Sequence, residues 1–247
     1  MLRFYKQPQQ NLSTLSRPGL LPLLACVVLA GRLMCASDLP RHRVDCGKRA
    51  MEYLSFAPKG AGDQPLPALL LLHGAGDRAE NFIRAWKSLA QEKKIILIAP
   101  ELPREESFEP EAPKVFRCLV EDARKAINID PHRIYLFGYS MGGYLAYDGA
   151  LLDSGYFAAA AIHAMGIAED YTWIVQRATR KIPIAISIGT KDRMVSLTQV
   201  RKTATLLRKS GFPVEYLEMP DHDHNYYDLS DVINGDAWRF MEGHRAP

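Results

Sequence analysis

The 247 residues are 47% hydrophobic and 24% charged, proportions that suit one ordinary globular domain with a sizeable core. A net charge of +3 is too small to argue for nucleic acid or an anionic surface as partner. There is no internal repeat, low-complexity tract or long like-charge run, so any chemistry must come from a site.

The chain begins with a segment that reads as a leader. Arg3, Lys6 and Arg17 precede the apolar stretch from Gly19 to Gly31, which is too short to span a bilayer, and Cys35-Ala36-Ser37 then offers small residues for cleavage. Residues 1–37 are therefore expected to be a secretory signal peptide, ahead of an uncleaved anchor and of the lipoprotein-like Leu23-Leu24-Ala25-Cys26. The mature protein, residues 38–247, is expected to be secreted or periplasmic and without stable membrane association. Removal of the leader leaves Cys46 and Cys118, an even number in an oxidising compartment. Cys118 points away from the apolar face (Phe116, Leu119, Val120, Ala123, Ile127) of its predicted helix, and a disulfide to Cys46 is the pairing we expect.

Beyond the leader, strands and helices alternate. Arg49 to Phe56 reads as a strand and Pro58 to Pro67 as a loop. Ala68 to Leu72 is a continuous apolar run, as expected of a strand covered on both faces, and it ends in His73-Gly74-Ala75-Gly76-Asp77. A helix from about Ala79 to Lys93 follows, with Phe82, Trp86, Leu89 and Ala90 on one face, then a buried strand from Ile95 to Ala99. Pro103 to Pro113 reads as a loop, the Cys118 helix comes next, and Asp130-Pro131-His132-Arg133 reads as a turn. Later strands are expected over Phe157 to Ile162, Ile182 to Ile188 and Val214 to Met219. A helix over Leu197 to Ser210 stops at Gly211, and a closing helix packs Ile233, Ala237, Phe240 and Met241. This alternation predicts an α/β fold with a mostly parallel sheet and helices on both faces, in which ligands bind beyond the carboxyl ends of the strands.

The chemistry gathers at those ends. Ile134 to Phe137 runs into Gly138-Tyr139-Ser140-Met141-Gly142-Gly143 and then a helix-compatible stretch, the strand, sharp turn and helix of a nucleophile elbow with Ser140 as nucleophile. A serine hydroxyl needs a base to take its proton, and the base needs a third group to fix its tautomer. Asp192, after Gly189 at a predicted strand end, is the expected acid. Asp221-His222-Asp223-His224-Asn225-Tyr226-Tyr227 holds two histidines for the base, with His224 preferred to His222. The oxyanion donors are expected to be the amides of Met141 and of Ala75, whose flanking glycines allow close approach. A metal site in the Asp and His cluster is the lesser reading, because ligands two apart in one loop leave other positions unassigned. His73 is expected to brace its loop, and His42, His132, His163 and His244 to be surface or packing residues.

HGAGD, GYSMGG, GTKD and DHNYY, in this order, resemble the serine esterases of the α/β-hydrolase superfamily, in particular the secreted polyhydroxybutyrate depolymerase and feruloyl esterase-like group and the esterase D group. The likeness covers nearly all of the chain after the leader, and DHNYY is similar to the histidine segment of the esterase D group, which favours His224. The chain departs from the pattern just before either histidine, where Asp221 or Asp223 stands for the usual glycine. The resemblance implies a small-molecule or polymer ester substrate and no metal or other cofactor. A serine peptidase or acyl transferase on the same triad is the alternative enzyme, and a hydrolase-like binding domain the alternative of another class. Fewer than twenty residues between His163 and Ile182 leave no room for a large lid. Tyr171 and Trp173 in that insert, with Met165 and Tyr226, are candidates to line an acyl or aromatic pocket or to pack on the elbow helix.

Overall fold

A computed structural model describes residues 39–60, 62–103 and 111–247. The expected leader, with Cys26 and Cys35, lies outside the described residues, as does most of the loop from Pro103 to Pro113. Eight strands form one open sheet in the order β1-β2-β4-β3-β5-β6-β7-β8. They are β1 (Arg41–Cys46), β2 (Arg49–Phe56), β3 (Leu66–Leu72), β4 (Ile96–Pro100), β5 (Ile129–Tyr139), β6 (Ala159–His163), β7 (Ile184–Gly189) and β8 (Val214–Met219). β1 and β2 pair antiparallel, as do β2 and β4, and every later pairing is parallel.

The helices are α1 (Ala79–Lys93), α2 (Ala112–Arg124), α3 (Met141–Leu152), the single turn α4 (Ile174–Arg177), α5 (Leu197–Lys209) and α6 (Ser230–Met241). They cover both faces because successive strand residues point to opposite sides. Leu70, Leu72, Leu136 and Ile162 pack with Phe116, Leu145 and Val200 of α2, α3 and α5. Leu69, Leu71, Tyr135 and Phe137 pack with Phe82, Trp86, Ile233 and Trp238 of α1 and α6. The continuous apolar runs of β3 and β4 are thus divided between two cores, and Gly211 (φ +86°) follows the end of α5.

Two local features correct the sequence reading, and a third is the expected disulfide. β1 was not expected: its exposed positions are filled by Arg41, Arg43 and Asp45, so little of it looks like a strand. The turn expected at Asp130-Pro131-His132-Arg133 lies inside β5 as an irregularity, since Leu66 pairs with Ile129 and Ala68 already with Ile134. Pro131 has no amide for the ladder, and the Asp130 carboxylate takes the His132 amide (2.9 Å) and Arg133 Nε (2.7 Å) in its place. Cys46, at the end of β1, is disulfide-bonded to Cys118 on α2 across 72 residues of chain. Closing a loop of that length contributes about 4 kcal/mol by the chain-entropy account, and it ties an edge strand to the helical layer.

Candidate active site

β5 leads directly into α3 through Ser140, which has φ 52° and ψ −122°, a conformation rare for a residue with a side chain. Two close approaches force glycine around it. A Cβ on Gly138 would stand 2.3 Å from the Gly142 carbonyl oxygen, and one on Gly142 would stand 1.9 Å from that of Leu72. The Ser140 amide is held by the His163 carbonyl at 3.0 Å, and the Ser140 carbonyl takes the Gly143 amide at 2.8 Å. Strain at the serine is thereby held in place by the strands on either side.

His224 comes to Ser140 from the loop after β8, with Nε2 3.0 Å from Ser140 Oγ. Its Nδ1 lies 2.8 Å from Asp192 Oδ2. A carboxylate only accepts, so Nδ1 carries the proton and Nε2 offers its lone pair to the serine hydroxyl. The Asp192 side chain is fully buried while that of His224 is 19% exposed, and Asp192 Oδ1 also takes the amides of Met194 (2.8 Å) and Val195 (2.9 Å). The structure therefore brings together Ser140, His224 and Asp192. His222 is buried elsewhere, its ring 5.7 Å from that of His163.

Met141 opens α3, where the first amides of a helix lack intrahelical partners. The turn holding Ala75 lies beside the elbow: a Cβ on Gly74 would lie 2.9 Å from the Tyr139 ring and 3.6 Å from Ser140 Cβ. His73, at the base of that turn, bonds the Gly74 carbonyl through Nδ1 (2.8 Å) and accepts the Leu102 amide on Nε2 (3.1 Å). It braces the loop, as its position after a strand suggests.

The open cleft beside His224 has a volume of about 620 Å³ and is lined by Tyr139, Lys191, Arg193, Met194, Asp223 and Asn225. None of Met165, Tyr171, Trp173 and Tyr226 lines this cleft, and Tyr171 takes the alternative expected of it, packing on the elbow helix. Tyr171 stacks on Tyr144 of the elbow helix at 5.0 Å and donates its hydroxyl to Asp148. Trp173 is 50% exposed, and Tyr226 is buried with its hydroxyl on Asn234 (2.8 Å). Met165 packs against the elbow, where a Cβ on Gly143 would lie 2.8 Å from its own Cβ. Among the described residues no group of three or more His, Cys, Asp and Glu side chains is placed to hold a metal, and no helix is long and apolar enough to cross a membrane.

Two residues at the site, Tyr139 and Tyr227, escaped the sequence reading, and His163 packs as one of the surface or packing histidines expected. Tyr139 donates its hydroxyl to the His224 carbonyl (2.8 Å), linking the elbow to the histidine loop. His163 is fully buried behind the triad, bonded to Ser187 Oγ at 2.9 Å, and burial first, then His222, push its pKa down to about 3. Tyr227 donates its hydroxyl to Asp77, from the histidine loop to the turn that holds Ala75. Tyr139 and Tyr227 lie inside quoted motifs, and that adjacency was the available signal.

The elbow on a mostly parallel sheet, with Ser140, His224 and Asp192 gathered beyond the strand ends, defines an α/β-hydrolase. More particularly, the chain belongs to the dienelactone hydrolase family, whose sequence model matches residues 79–238. No curated protein matches the sequence. Among solved structures it is similar to a thermostable esterase (23% identity, TM-score 0.66), covering 84% of this chain and only 63% of that one. It is also similar to the S-formylglutathione hydrolase of Agrobacterium tumefaciens (18%, TM-score 0.66), covering 85% and 95% of the two chains. Esterase 2 of Thermogutta terrifontis is a third (15%, TM-score 0.69), covering 84% and 95%.

Proposed function

We propose that this hydrolase is a secreted or periplasmic serine esterase that cleaves carboxylic esters through an acyl-enzyme on Ser140. The observation that carries the reading is the position of His224, within hydrogen-bond reach of both Ser140 Oγ (3.0 Å) and Asp192 (2.8 Å). Ser140 Oγ attacks the ester carbonyl carbon while its proton passes to His224 Nε2, and Asp192 holds the resulting imidazolium in place. The carbonyl oxygen becomes an oxyanion facing the amides of Met141 and Ala75. As the C–O bond to the alcohol breaks, His224 returns the proton to the leaving oxygen. A water deprotonated by His224 then attacks the acyl carbon, releasing the acid and restoring Ser140.

The open cleft supports substrates with a free alcohol side, small molecules or an exposed polymer ester. The short insert after β6, with one 3₁₀ turn (Glu169–Tyr171) and the single turn of α4, supports a lidless enzyme. The Cys46–Cys118 bridge and the apolar leader support an oxidising compartment.

Hydrolysis of p-nitrophenyl acetate and butyrate tests the reading. Ser140→Ala and His224→Ala are each expected to lower kcat/KM by at least about 10⁴-fold, and His222→Ala far less. Turnover unaffected by Ser140→Ala would end the esterase reading, and cleavage of a peptide anilide but of no ester would replace it with a peptidase.

A further inference from the structure

Residues 74–77 present a problem for an oxyanion donor. Ala75 and Gly76 are exposed, Gly76 has φ +76°, and no atom lies within 4 Å of where a Gly76 Cβ would stand. The turn is packed at Gly74 but open at Gly76, and a glycine with nothing beside it leaves that half of the turn many conformations. Something must fix the direction of the Ala75 amide.

The fixing runs through Asp77. Its amide donates to the Gly74 carbonyl (3.3 Å), closing the turn, and its Oδ1 accepts the Arg78 amide (2.8 Å) and Asn81 Nδ2 (3.0 Å) at the start of α1. Its other oxygen, Oδ2, accepts the Tyr227 hydroxyl from a residue 150 positions away. Tyr227 is 41% exposed, but one edge of its ring has a buried partner. Its ring lies edge-on to that of Tyr226 at 5.0 Å, and Tyr226 is fully buried against Phe82 and Tyr139. Burial and the Asp77 charge both raise its pKa, so the hydroxyl keeps the proton it donates. Three residues before it stands His224, whose carbonyl is held by Tyr139.

We propose that Tyr227 is a positioning residue that, through its hydrogen bond to Asp77, locks the turn bearing the Ala75 amide to the loop bearing His224, so that oxyanion donor and base keep a fixed separation. The catalytic half of this inference rests on the esterase reading above; the restraint on the turn does not. A lost restraint displaces a transition-state donor without touching ground-state binding, so it acts on kcat.

The test uses Tyr227→Phe, Asp77→Ala, Asp77→Asn and the double variant Tyr227→Phe/Asp77→Ala in the full chain. For Tyr227→Phe, kcat on p-nitrophenyl acetate is expected to fall roughly 10-fold, between the loss of a whole oxyanion donor and no effect, with KM within about twofold. Asp77→Ala is expected to fall at least as far, and the double variant no further than Asp77→Ala alone, because both changes remove one bond. Asp77→Asn keeps an oxygen acceptor and is expected to retain most of kcat. Amide hydrogen exchange in the 73–78 segment is expected to rise in Tyr227→Phe while the melting temperature stays near that of the parent.

Unchanged exchange in that segment overturns the restraint. Unchanged kcat, a rise in KM alone, or additive losses overturn the positioning role. A parent protein that turns over no ester, or does so as well as Ser140→Ala, overturns the esterase reading and the catalytic half with it, and the exchange measurement then decides the restraint alone.

Discussion

The elbow and the turn beside it, which carry the two amides proposed as oxyanion donors, are built in opposite ways. At the elbow, Ser140 carries a positive φ of 52° without being glycine. The His163 carbonyl holds its amide, and the glycines on either side of it leave no room for a Cβ against α3 and the end of β3. At the neighbouring turn the positive φ belongs to Gly76, the space beside that residue is empty, and beyond the His73 bond to Gly74 the conformation is held from Asp77 outward. One donor is fixed by packing, the other by a few hydrogen bonds. The difference teaches that strain is kept where the core can hold it, whereas an exposed donor depends on a specific tether.

The comparison breaks most sharply at Gly142. A Cβ there meets the Leu72 carbonyl oxygen at 1.9 Å, and both partners are backbone, so neither moves without displacing β3 or α3. Gly142→Ala is expected to destabilise the fold by at least about 3 kcal/mol, the upper range for overpacking, measured as a fall in the urea midpoint with m unchanged. A loss under about 1 kcal/mol would show that the elbow yields to small backbone movements, and that packing is not what fixes it.

That same packing is why the elbow was legible in the sequence and the tether was not. Gly138 and Gly142 flank Ser140 because sterics leave no alternative, so the motif prints the geometry directly. Apolar runs such as Leu69 to Leu72 print buried strands in the same way. Asp192 and His224 were reachable because each sits just past a strand and the chain order is that of the hydrolase fold. What local pattern does not carry is the partner of an exposed polar side chain. Nothing near Tyr227 in the chain points to Asp77, and nothing near Tyr171 tells whether its ring enters a pocket or, as it does, lies on Tyr144. The outward charges of β1 and the proline in β5 hid strand structure for a related reason, since edge position and ladder irregularity are tertiary facts.

Behind the elbow, His163 offers a second way to probe the packed side. Its ring is fully buried, faces Ser187, His222, Tyr139 and Tyr226, and titrates near 3 against about 6.5 in an unfolded chain. Below pH 6.5 the unfolded state therefore binds a proton that the folded state refuses, and stability falls as pH falls, down to about pH 3. Between pH 7.5 and 5 this linkage amounts to about 2 kcal/mol. His163→Asn, which cannot titrate, is expected to lose about that much less than the parent over the same interval, read from urea midpoints at each pH. Parallel pH profiles for the two proteins would mean that the imidazole charges readily in place, and that the floor of the elbow is open to water.

The smallest effect belongs to the exposed side. Gly76→Ala adds a Cβ into open space, so nothing clashes, and the penalty is the positive φ of +76° alone, about 1 kcal/mol. Because Gly76 itself packs against nothing, it has a way out that Gly142 lacks: its half of the turn can relax its own dihedrals and leave the core as it is. Global stability is then expected to change by less than the full 1 kcal/mol, with the strain appearing as altered pitch of the Ala75 amide and a several-fold fall in kcat at unchanged KM. Adding Tyr227→Phe to Gly76→Ala sharpens the point. With the tether gone, the turn is free to relax and recover stability, but the amide direction is lost, so stability and kcat should move in opposite directions. If both fell together, the turn would be an ordinary packed part of the fold, and the contrast with the elbow would reduce to one of degree.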